Sequence, residues 1–157
     1  MLTRRDCNAV ETIPLRLMIV AIVASLSILP AAEALDTLRN RDFVRRASLE
    51  LDEIVSAAQI MAIQGPGNVR TITVDLRGDG TLRFDHLSIG DTQGGPNMSS
   101  TVLRFENGAS LVRSADEPPV WIRSASGDAL QITSSRFTLR LNSVFENHTL
   151  SVVAEAM

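Results

Sequence analysis

The sequence predicts an α+β chain in which a long N-terminal helix, kinked at Pro30, is followed by an antiparallel β-sheet head. Three observations predict it. Residues Leu17 to Ala32, LMIVAIVASLSILPAA, form one uncharged apolar run close to the N-terminus. Apolar residues then recur at alternating steps of three and four as far as Met61, the helical period. Past Gly65-Pro66-Gly67 the period becomes two, which is that of half-buried strands.

The apolar run has positive residues ahead of it, Arg4, Arg5 and Arg16. It cannot lie exposed in water, so it enters a membrane, is removed as a signal, or packs against copies of itself. As a secretory signal, Leu17 to Leu29 would be the apolar region and Ala32-Glu33-Ala34 a small-x-small cleavage site before Leu35. As an uncleaved anchor, the sixteen residues from Leu17 to Ala32 fall short of the about 20 a span needs, unless Arg16 snorkels to the head groups. The positive flank would then keep the N-terminus cytoplasmic.

Both readings leave Glu11 unused. An acid a few residues after Arg4-Arg5 and just before an apolar helix opposes the positive flank of a signal peptide. In a bundle of stacked helices it has work to do, neutralising the N-terminal amine of a neighbouring subunit. A carboxylate among apolar helices is tolerable only when paired in this way. The start of a helix also favours a negative charge.

Over residues 4 to 30 the chain resembles the type IV pilin-like proteins, most closely the archaeal kind. These carry a short basic leader, a peptidase cut ahead of an apolar helix, an acid shortly after the cut, and often a helix-bending proline. The resemblance implies a cut between Asp6 and Cys7 by a prepilin peptidase, with Glu11 as the acid and Pro30 as the proline. Asp6 departs from the Gly or Ala usual before the cut. The implied divisions are a basic leader over 1–6, a transmembrane and assembly helix over 7–34, an amphipathic stem over 35–64, and a β-rich extracytoplasmic head over 69–157. Assembly would run through Glu11, Leu17, Ile19, Val20, Ile22, Val23, Leu26, Leu29 and Pro30. The implied partners are the membrane, the peptidase and further copies of the chain, in a homo-oligomeric surface filament. A second expectation, from another class, is a single secreted or anchored β-rich domain that binds a surface partner.

The stem follows from a stripe of Val44, Ala47, Leu51, Ile54, Ala58 and Met61. Its other faces carry Arg39, Arg41, Arg45, Arg46, Glu50, Asp52 and Glu53, and Gly65-Pro66-Gly67 stops the helix. The stripe is expected to cover the head, with a seam for neighbouring stems as the sharper alternative. In the head, Ile72, Val74 and Leu76 alternate with Thr71, Thr73 and Asp75. Gly78-Asp79-Gly80 turns into a strand over Thr81 to Leu87, and Gly90 to Ser99 is a loop. Asn107-Gly108 joins Thr101 to Glu106 with Ala109 to Arg113, a hairpin signal. Ser126-Gly127-Asp128 lies between Val120 to Arg123 and Ala129 to Thr133. Phe137, Leu139 and Leu141 alternate with Arg136, Thr138 and Arg140, and Thr149 to Ala154 closes the sheet. About eight short strands read as an antiparallel meander under one helix.

At 157 residues there is room for one core and a stem, not two cores. A net charge of −3 speaks against nucleic acid, which needs a clustered positive surface. All fifteen basic residues are Arg, which reads as genome composition rather than a phosphate-binding surface. Cys7 is the only cysteine, so no intramolecular disulfide forms. It follows Thr3-Arg4-Arg5-Asp6 rather than an apolar run, so it is not a lipid-attachment site. His86 and His148 have no further His or Cys at ligand spacing. Asp75, Asp79, Asp85 and Asp91 lack the alternation and closing Glu of a calcium loop. No serine sits in a Gly-x-Ser-x-Gly turn and no Gly-rich phosphate loop occurs, so neither an enzyme nor a cofactor is expected. Arg77-Gly78-Asp79 matches a receptor-read tripeptide but is read as a turn. Asn97-Met98-Ser99 and Asn147-His148-Thr149 are N-glycosylation acceptor triplets at expected loops or turns. Trp121 is read as core.

Overall fold

A computed structural model describes residues 8–157, and the side chains of residues 14–157 apart from Leu29. The chain forms two units, one ending at Leu38 and the other comprising Arg39–Met157. Helix α1 spans Asn8–Gln64 and contains Pro14 and Pro30. Pro30 has no N–H to give the carbonyl four residues back, so the helix is kinked there rather than ended.

Its C-terminus is set by Gly65. That residue takes φ +91° and donates its N–H to the Met61 carbonyl at 3.1 Å, the left-handed cap that satisfies an otherwise orphaned carbonyl. Pro66 follows and cannot continue the helix.

Eight strands follow α1: β1 (Val69–Asp75), β2 (Phe84–Ile89), β3 (Ser100–Phe105), β4 (Ser110–Ser114), β5 (Trp121–Arg123), β6 (Leu130–Ile132), β7 (Arg136–Glu146) and β8 (Thr149–Ala156). They form two four-stranded sheets, ordered β1-β7-β8-β5 and β4-β3-β2-β6. The expected single meander is therefore corrected. The hairpins β2–β3, β3–β4 and β7–β8 are sequential, but β1 pairs with β7, β2 with β6, and β5 with β8 in parallel. Turn chemistry decides only neighbours in sequence. The Ser126-Gly127-Asp128 turn does close, with Ser124 N–H on the Asp128 carbonyl at 2.7 Å, yet it sends β5 and β6 to different sheets.

One apolar core joins the second half of α1 to both sheets. Ala47, Leu51, Ile54, Ala58 and Met61 of the predicted stripe are buried, Val44 is half-buried, and Phe43, Val55 and Ala57 widen the buried face. Phe43 meets Phe105 of β3 edge to face, with ring centroids 5.7 Å apart at 76°. Around this contact, Arg113 of β4 binds Asp52 at 2.7 Å and also reaches Ser48. At the far end of the helix, the Gln59 amide donates to the Glu117 carbonyl at 3.3 Å. Leu51 is fully buried at the centre of the stripe. Leu51→Ala is expected to lower stability by about 2–5 kcal/mol, read as a shift of the denaturant midpoint of the isolated protein.

Candidate functional site

Two stretches of α1 follow different rules. Along residues 43 to 61 one face of apolar side chains is buried, from Phe43 to Met61, while Leu49 and Ile60 off that face stay exposed. Along residues 17 to 28 they point in every direction: successive helical residues turn by 100°, and Leu17, Met18, Ile19, Val20, Ile22, Val23, Leu26 and Ile28 are all exposed. A helix apolar all round belongs in a membrane or inside a bundle. The first part of α1 is long and apolar enough to cross a membrane, and none of that stretch is buried within the chain.

Its polar atoms are already satisfied. The hydroxyls of Ser25 and Ser27 donate to the Ala21 and Val23 carbonyls at 2.7 and 2.8 Å. A hydroxyl moved from water to an apolar medium is costly unless it keeps such a bond. No charge intervenes between Arg16 and Glu33. The structure thus brings Leu17, Ile19, Val20, Ile22, Val23, Leu26 and Pro30 onto one continuous exposed helix. Asp6 and Cys7 lie outside the described residues, as do the side chains of Glu11 and Leu29.

In the head, the Arg77-Gly78-Asp79 tripeptide lies in the irregular loop between β1 and β2, where the chain bends from Asp79 without closing the expected hydrogen-bonded turn. Arg77 Nε lies 2.9 and 3.1 Å from the two carboxylate oxygens of Asp75, and Nη2 joins them. That guanidinium is committed within its own loop. A side chain at Gly78 would meet the Leu82 carbonyl at 2.8 Å and the Phe43 ring at 3.0 Å. Asn40 of α1 holds the loop down, accepting the Leu82 N–H at 3.0 Å and donating to Thr81 Oγ1 at 2.9 Å. Strand β2 consequently starts at Phe84, three residues later than expected from Thr81. The shallow cleft of about 380 Å³ beside the loop is lined by Arg77, Asp79, Arg83 and Glu106, charges of both signs that select no one class of ligand.

The hydrogen bond from Arg77 holds the Asp75 carboxyl at about 2, below the usual 3.8. An acid depressed in the folded state stabilises it above the unfolded value, and that contribution is lost as pH falls through the folded one. The window here is about pH 4 to 2, and the pair is exposed enough for screening to keep the effect small. Asp75→Asn is expected to flatten the acid side of the stability–pH curve in that window and leave its slope near neutrality unchanged, which denaturation at several pH values measures. Glu50 goes the other way: burial, then Glu53 and Asp75, raise its carboxyl above 4.5.

Trp121 is half-buried rather than core, with Nε1 donating to the Asp91 carbonyl at 2.9 Å. Arg123 lies 5.3 Å from its ring centroid. Arg123 is a position the residue pattern hides. Its side chain is only 10 % exposed, and it binds Glu146 at 2.8 Å and Ser151 at 3.2 Å. A buried arginine in a three-residue strand leaves no mark in local periodicity. His86 contacts the adjacent Asp85 at 3.0 Å, and His148 sits in the β7–β8 turn. Asn97 and Asn147 are both exposed and both in turns. Compared with protein-family models, curated proteins and solved structures, the chain matches none of them.

Proposed function

We propose that the chain is a pilin-like structural subunit, held in the membrane by the first part of α1 before assembly and displaying its β head in a surface filament afterwards. The observation that carries this reading is the division within α1. Residues 17 to 28 are apolar around the whole circumference, and residues 43 to 61 bury one stripe under the head. Side chains exposed on all sides need a surrounding partner, which is lipid before assembly and neighbouring helices after it. At about 25 cal/mol per Å² of apolar area, burying such a stretch contributes tens of kcal/mol gross, before ordering costs. Glu11 sets the register by pairing with a neighbour's N-terminal amine. The subunit acts through assembly, with no reaction of its own.

The test is the N-terminus of the mature protein, read by sequencing or intact mass. A chain starting at Cys7 is expected. A start at Leu35 removes the assembling helix and with it this function. A start at Met1 leaves an anchored domain without the new amine that Glu11 would pair with.

A further inference from the structure

The β7–β8 hairpin carries a feature that filament assembly leaves unused. Its turn consists of Asn147 and His148, between the paired Glu146 and Thr149. Both turn residues have left-handed backbone, with φ of 49° and 63°, as a two-residue type I′ turn requires. Asn suits such a turn for conformational reasons alone. The additional fact is Thr149, two positions on, which completes an acceptor triplet at the tip. Asn147 is exposed, and its side-chain amide has no hydrogen bond among the described residues. Beneath the tip, the nine-tenths buried Arg123 binds Glu146 of β7 and Ser151 of β8, tying both strands together. The tip is therefore open yet firmly held.

Asn97-Met98-Ser99 is presented quite differently. Ser99 is 7 % exposed. The three carbonyls of the triplet are all taken: Asn97 by the Ser100 N–H at 2.9 Å, Met98 by the Ile122 N–H at 2.8 Å, and Ser99 by the Ala115 N–H at 2.7 Å. An enzyme that must reach the asparagine amide and the hydroxyl two residues on would first have to peel this segment off β5 and its neighbours.

We infer that Asn147 is the N-glycan acceptor of the folded protein and that the fold withholds Asn97. The inference rests on the export included in the reading above, because it needs a lipid-linked sugar donor outside the cytoplasm. In the transfer, Asn147 Nδ2 forms a bond to the sugar C1 and loses one proton. The bond between C1 and the lipid-phosphate oxygen breaks, its electron pair leaving with the lipid phosphate. No electrons are gained or lost overall.

The experiment supplies the full-length protein in detergent micelles with a lipid-linked oligosaccharide and a single-subunit oligosaccharyltransferase, chosen because it modifies peptides spanning either triplet. Occupancy is read by glycopeptide mass spectrometry. Asn147 is expected to be occupied about tenfold or more above Asn97, because access to the latter needs local opening. Asn147→Gln and Thr149→Ala should abolish the modification, Thr149→Ser should restore it, and Asn97→Gln should leave it unchanged. Equal occupancy, preference for Asn97, or a folded chain modified at neither site overturns the inference. The mature N-terminus is an independent readout: a start at Leu35 with Asn147 modified removes the filament and keeps the acceptor, and a start at Cys7 with Asn147 refused does the reverse.

Discussion

Cells carrying Glu11→Ala are expected to hold the membrane-bound precursor at its normal level and to make no filaments. The substitution leaves Leu17 to Leu29 untouched, so insertion of the apolar helix is unaffected. What it removes is the only charge between Arg5 and Arg16 other than Asp6. In the assembled state proposed here, that carboxylate sits among apolar helices beside a neighbour's amine. Removing one member of a buried pair strands the other, at a cost of about 3–5 kcal/mol per contact. At 1.4 kcal/mol per factor of ten, each interface weakens by roughly two to three and a half orders of magnitude. Repeated along a fibre, that loss is decisive. Membrane fractionation and electron microscopy of the same cells check both halves, and normal filaments in the mutant would rule out the pairing. Glu11→Gln, which keeps shape and loses charge, should fail in the same way.

The second large effect lies in the head. Gly90→Ala is expected to destabilise it by at least about 3 kcal/mol, a severe loss for one methyl group. Gly90 is buried just past β2 with φ +70°, where an L side chain is strained. More decisive is the space. A Cβ there would lie 1.9 Å from the Ile122 carbonyl oxygen and 2.4 Å from its carbon. Those are backbone atoms of β5, so no side chain can swing away. Nor is the contact free to open, because Gly90 N–H binds the Ser100 carbonyl at 2.8 Å and Asp91 N–H binds the Ile122 carbonyl at 3.2 Å. Gly127→Ala is the control, since Gly127 has φ +93° but nothing within 4 Å of an added Cβ. It should cost only the backbone strain, about 1–2 kcal/mol. Thermal melts followed by circular dichroism compare the two, and a Gly90→Ala melt no lower than that of Gly127→Ala would contradict the close approach.

These two residues also mark how far local reading reaches. The helix, its buried stripe, its end at Gly65 and nearly every strand were legible, because each rests on a short-range rule. Leu51, Ile54, Ala58 and Met61 recur at helical spacing and are buried together. Ile72, Val74 and Leu76 alternate and all face the core. The apolar run of the candidate assembly helix was equally plain, because nothing outside residues 17 to 32 is needed to see that it lacks charge. Asn107-Gly108 joined the two strands it was expected to join.

Pairing between distant strands obeys no such rule. β1 lies beside β7, and three residues of β5 run parallel to β8, an arrangement in which both sheets and α1 share one core. The same cause hides Arg123, whose partners stand 23 and 28 residues away. It hides the role of Gly90, which ordinary loop composition would explain, and it separates Asn147 from Asn97, whose triplets look alike as text. By itself, then, the sequence determined the elements, the end of the helix at Gly65 and an apolar first stretch long enough to cross a membrane, since these depend on residues within a turn or two of one another. Tertiary structure decided which strands meet, which charge is buried and which asparagine triplet is tied down against neighbouring strands. Those depend on groups that come together only when the whole head closes.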